Sequence, residues 1–133
     1  AYTNISIAEE NYDGEVVTLF KDDIPNKYNS AIRSCAEYRF ETKKEFFIGT
    51  YNGYNMWLDE LNSIRLRQNA FEILLKHRPV DGVIDHNTCA RLLQDFKDHR
   101  KRAAAQSDWF LEKYTQFTQA AMLGSNNGCI CFE

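Results

Sequence analysis

Proline is scarce in this chain, with only Pro25 and Pro79 among 133 residues. Together with the absence of low-complexity runs, this excludes a proline-rich linker and an extended disordered region. No apolar run is long enough to span a bilayer as a helix, so no membrane partner is expected. Neither sign of charge predominates: 16 Lys and Arg face 19 Asp and Glu, for a net charge of −3. That balance argues against nucleic acid as the main partner, because polyanion binders carry a basic excess. Histidine is limited to His77, His86 and His99, which restricts imidazole-based general-base and metal chemistry to those places. The opening Ala1-Tyr2-Thr3-Asn4 lacks the basic and apolar regions of a signal peptide. Removal of a signal before Ala1 and loss of an initiator Met are equally consistent with that start.

Cysteine is present but not as a scaffold. Cys35, Cys89, Cys129 and Cys131 do not have the spacing of a disulfide framework, and a chain of this length does not need staples. Cys129 and Cys131 are too close to pair easily. The expectation is a reducing, cytoplasmic setting, with Cys35 and Cys89 as small buried apolar residues. Aromatics are plentiful: nine Phe, seven Tyr and two Trp supply a core for one domain over residues 1–133.

Asn4-Ile5-Ser6-Ile7 alternates, and Glu15 to Phe20 is β-branched and aromatic. With Asn11-Tyr12-Asp13-Gly14 between them, the pattern predicts an N-terminal β-hairpin. Asp22, Asp23 and Pro25 mark a helix start, and Tyr28, Ala31, Ile32, Cys35 and Tyr38 recur at helical spacing to about Phe40. Phe46-Phe47-Ile48 reads as a short strand or the rim of the core, and Asn52-Gly53 as a turn. From Met56 the longest helix is expected, with Trp57, Leu61, Ile64, Phe71 and Leu75 on one face. A further helix runs from about Asn87 to Arg102, and another follows the Ser107-Asp108 cap signal with Trp109, Phe110, Tyr114, Phe117 and Ala121. Cys129 to Phe132 closes the chain as a short strand. The fold class is therefore α+β: about four helices in the middle, a short N-terminal hairpin and a short C-terminal strand.

The segment Pro79 to Thr88 carries the densest pattern. Asp81-Gly82 makes a tight turn, and Asp85 or Asn87 caps the next helix. Gly82 and Ile84, followed by Cys89, Leu92, Leu93 and Phe96, are spaced as in an EF-hand loop and its exiting helix. Gly128 and Ile130 repeat the spacing within residues 123–133. Residues 77–96 and 123–133 thus resemble a degenerate EF-hand pair, in which the resemblance implies a short antiparallel bridge between Ile84 and Ile130. Calcium is not implied: the ligand positions hold His77, Pro79, Asp81 and Thr88, then Leu123, Ser125 and Asn127. Val80-Asp81-Gly82, Thr88, Ala90, Leu92 and Phe96 also resemble the small helical peptidoglycan-binding modules, although Asp85 replaces a glycine of that pattern.

No catalytic constellation emerges. Asp81, Asp85 and His86 are near in sequence but do not converge on one helical face, so no metal and no cofactor is expected. Cys89 lies on an apolar face without a local histidine signature. Asp22-Asp23 and Asp59-Glu60 read as solvated pairs. The run Lys97 to Arg102 is basic, as suits a helix C-terminus, and Tyr51 and Tyr54 flank a polar turn. Arg100, Lys101, Arg102, Tyr51 and Tyr54 are the expected partner-binding residues, because Arg and Tyr concentrate at interface hot spots. The expectation is a non-enzymatic protein-binding module: an inhibitor, immunity factor or regulatory subunit with one protein partner, acidic in character. A self-assembling capsid or filament subunit, paired through terminal edge strands, is the alternative from another class. A small enzyme with a site assembled from scattered residues is the third.

Overall fold

The computed structural model describes all 133 residues. Its strands are β1 (Tyr2–Thr3), β2 (Ser6–Ile7), β3 (Val16–Leu19), β4 (Ala36–Arg39), β5 (Thr42–Lys43), β6 (Gly82–Asp85) and β7 (Cys129–Phe132). Its helices are α1 (Tyr51–Ile64), α2 (His86–Asp98), α3 (Arg100–Ala104) and α4 (Asp108–Ser125), with a 3-10 turn at Asn26–Tyr28 and a π turn at Ile73–His77. The class is α+β, with antiparallel sheets ordered β5-β1-β7-β6 and β2-β4-β3.

The four-stranded sheet is covered on both faces. Ile84 and Ile130 pair in register and join the large core formed by α1, α2 and α4. On the other face Tyr2, Val83 and Cys129 join Leu19, Ile32 and Tyr38 of the segment carrying the three-stranded sheet. Local chemistry starts each long helix. Thr50 Oγ1 accepts Gly53 N–H at 3.1 Å, Asp85 Oδ1 accepts Thr88 N–H at 2.9 Å, and Ser107 Oγ accepts Phe110 N–H at 3.2 Å. Trp57 is fully buried, stacked on Phe110 at 5.5 Å and Phe117 at 4.9 Å, and its indole N–H donates to Phe110 O at 3.1 Å. Truncating such a side chain costs about 3–5 kcal/mol. Gly124 lets α2 and α4 meet: a β-carbon there would stand 2.5 Å from Cys89 Sγ.

Several sequence expectations are corrected. The N-terminal strands form no hairpin with each other, because β4 lies between β2 and β3 and pairs with both. The helix expected to end near Phe40 is instead a 3-10 turn followed by β4. Ala36, Tyr38 and Phe40 alternate at period two as well as fitting a helix, and Cys35 at φ 65° turns the chain into the strand. That turn leaves Cys35 exposed, whereas Cys89 is buried as expected. Asn52-Gly53 is not a turn but the first turn of α1, capped by Thr50.

The helix expected to continue to Leu75 stops at Ile64, which makes α4 the longest. Acceptors on α2 and its end replace helical carbonyls in the connection. His99 Nε2 accepts Leu66 N–H at 2.9 Å, and Asp95 Oδ2 accepts Phe71 N–H at 2.9 Å. Phe71 adopts φ 56° and is nonetheless fully buried. His99 also ends α2, so the expected Asn87–Arg102 helix is divided into α2 and α3.

Candidate functional groove

A groove of about 630 Å³ lies where the start of β1, the end of β7, the start of α1 and one side of α4 meet. Residues 45–49 form its outer wall. The segment is extended, with Phe46 and Ile48 packed against the core while Phe47 is 82% exposed. It takes part in no backbone–backbone hydrogen bond. Lys113 Nζ donates to Ile48 O at 2.6 Å and ties the wall to α4. Gly49, at φ 111°, lets the chain turn into α1.

Tyr51, at 68% exposure, stands on the rim as the sequence suggested. Tyr54, expected at the surface, is buried under the groove, and its hydroxyl donates to Pro79 O at 2.9 Å. Two turns of the i, i+3/i+4 stripe bring Tyr54 to the same face as Trp57, Leu58 and Leu61. Burial pushes the Tyr54 phenol above its ordinary value. Tyr2, at the groove's far end, is pushed up to about 12, by burial first and then by the nearby Cys131. Gln116 Oε1 is a buried acceptor without a partner in the groove wall. Around the rim, Lys43 pairs with Glu45 at 3.4 Å, whereas Lys44 lies over the Phe46 ring at 5.4 Å and Lys113 over the Trp109 ring at 5.8 Å. Neither Lys44 nor Lys113 has a carboxylate partner.

Arg100, Lys101 and Arg102 are exposed on α3. Arg100 Nη1 donates to Thr115 Oγ1 at 3.2 Å, at an open depression lined by Lys97, Thr118 and Gln119. The basic surface and the groove therefore use different sides of α4, which contributes Thr115, Thr118 and Gln119 to one and Gln116 and Ala120 to the other. Sequence reasoning joined Tyr51 to Arg100; the fold assigns them to separate surfaces.

The histidines do not assemble. His77 packs edge-on against Tyr28 at 5.4 Å, with burial lowering its pKa, and His99 is spent between Asp95 O and Leu66 N–H. Asp85 is committed to Thr88 N–H and Ala31 N–H, so it does not turn toward His86 as a ligand. Asp59 pairs with Arg78 at 2.6 Å. No group of three or more His, Cys, Asp or Glu is placed to hold a metal ion. No helix is long and apolar enough to cross a membrane. Phe47 and Lys44 line the groove but were not among the residues that the sequence pointed to. For Phe47 the signal was the apolar triplet Phe46-Phe47-Ile48, but only the fold shows which of its members faces out.

No protein-family model matches the chain, and no curated protein or solved structure gives a significant match.

Proposed function

We propose that the chain is a non-enzymatic protein-binding module, an inhibitor, immunity factor or regulatory subunit, whose groove receives an extended, apolar and acidic segment of one partner protein. The observation that carries this reading is the open apolar groove walled by a segment that makes no backbone–backbone hydrogen bond, so that its main-chain groups apart from the Ile48 carbonyl are unspent. Main-chain pairing supplies affinity to an incoming extended segment, and alternate side chains read the pockets. Phe47 and Tyr51 are rigid aromatics of the kind that dominate interface energetics. Lys44, which lines the groove and has no carboxylate partner, favours an acidic residue in the incoming segment and a faster encounter with it. The exposed Arg100, Lys101 and Arg102 widen the same preference to a second contact on a large partner.

Selection of a displayed library of linear peptides on the immobilised chain tests this. Apolar peptides with acidic residues should be enriched, and Phe47→Asp should weaken them by roughly 30-fold or more, the loss of about 2 kcal/mol that defines a hot spot. Phe47 is 82% exposed, so the variant should melt like the parent. Peptides that bind Phe47→Asp and Tyr51→Ala as well as the parent would reject the groove. The alternative of a self-assembling subunit is favoured by the open edge of β5 and by Ile7 and Phe20, both about half exposed. Light scattering separates the two, since a binding module runs at its own 15.5 kDa until a partner is added.

A further inference from the structure

Cys129 and Cys131 are alternate residues of β7, and alternate residues of a strand project from one face. The register identifies that face: Cys129 stands opposite Asp85 and Tyr2, and Cys131 opposite Val83. Both side chains pack on the same cluster of Tyr2, Leu19 and Val83. Both thiols are free; Cys129 is buried, whereas Cys131 is half-buried and borders the groove.

The strand restricts what the two sulfurs can do together. Residues two apart in a strand are separated by about 6.5 Å, and their β-carbons by a similar distance. A disulfide needs β-carbons about 3.5–4.5 Å apart. Direct oxidation would therefore bend β7 and break its pairing with β6 and β1. A bridging ion has no such requirement, because two thiolate–metal bonds of about 2.3 Å span roughly 4.6 Å between sulfurs. No third donor converges on the pair. Tetrahedral zinc is therefore not served, whereas soft thiolates suit cuprous copper.

We propose that Cys129 and Cys131 form a two-coordinate thiolate site for a single soft monovalent cation of the cuprous class. Binding forms two S–Cu bonds and breaks two S–H bonds, releasing both protons to solvent without oxidation or reduction. The ion enters from the groove through Cys131 and is then shared with Cys129. Affinity accordingly rises with pH, since each thiol that is protonated in the free chain must lose its proton.

Anaerobic titration of the reduced full chain with cuprous ion, in competition with bicinchoninate, tests the site. One ion per chain should be held, and Cys131→Ser should lower the affinity by more than the roughly 10–100-fold typical of changes behind the ligands. Cys131→Ser is the deciding variant because its side chain is half-buried; Cys129→Ala should agree with it, provided that its far-ultraviolet circular dichroism matches the parent. Cys35→Ser and Cys89→Ala should bind as the parent does. Unchanged affinity in Cys131→Ser, or uptake abolished by Cys35→Ser, overturns the assignment. So does quantitative disulfide formation between Cys129 and Cys131 under diamide, because the strand geometry would then be wrong.

Discussion

Phe71 is the sharpest place to test the core. It lies outside regular helix, at φ 56°, yet is fully buried, with its ring 5.0 Å from Phe96 and 4.9 Å from His99. Phe71→Ala removes the ring from a site that collapses poorly. Phe96 is held edge-on by Tyr114 at 5.0 Å, and His99 by hydrogen bonds at 2.8 and 2.9 Å. The expected loss is in the upper part of the usual range, about 4–5 kcal/mol. With a urea slope of about 2 kcal/mol per molar, the unfolding midpoint falls by about 2 M. Phe71→Gly then reads the backbone. In a helix interior glycine is about 1 kcal/mol worse than alanine. At positive φ an L-residue bears a penalty of about 1–2 kcal/mol that glycine avoids, so even after its greater unfolded-state entropy glycine should be the better of the two. Urea unfolding of both variants, followed by Trp fluorescence, decides the matter. A glycine variant about 1 kcal/mol less stable than the alanine variant would restore the continuous helix. An alanine variant losing less than about 1 kcal/mol would contradict burial of the ring.

Gly128→Ala places a β-carbon 1.8 Å from the Tyr2 carbonyl oxygen, so β1 must shift. A stability loss of about 2–3 kcal/mol is expected by thermal denaturation. Glu72 is held below its ordinary pKa by the hydrogen bond from Lys27 and then by that from Tyr28, so its contribution is present above the ordinary carboxylate value and lost as pH falls through the lowered one. The melting-temperature difference between Glu72→Gln and the parent should therefore be largest near neutral pH and close in acid; a difference that grows in acid would contradict the pairing. Replacing Arg100, Lys101 and Arg102 with Ser should change stability by less than about 0.5 kcal/mol, because all three are exposed. It should slow partner association, and that deficit should shrink at high salt. Finally, calorimetric titration with calcium should give no binding heat, because Asp85 already spends both oxygens on backbone N–H groups.

What the sequence determined by itself is mostly local. Ser107 and Asp85 were legible as caps because each supplies its own oxygen to an N–H three residues on. Gly82 was legible as a turn residue, and it has φ 94°. The apolar faces of α2 and α4 were legible from period alone, and so was the mixed class of the fold. Tertiary structure decided whatever depended on distant partners. A helix pattern through Phe71 gave way because Asp95 and His99 offered better acceptors across the core. Period two prevailed over period 3.6 at Ala36 to Arg39 because β2 and β3 lay on either side to pair with that segment. The groove belongs wholly to this second category. Its walls come from residues near 1, 45, 80, 117 and 131, and no local rule reaches across such separations. Whether Phe47 or its neighbours faced solvent was decided only when Lys113 on α4 took the Ile48 carbonyl and held the wall in place.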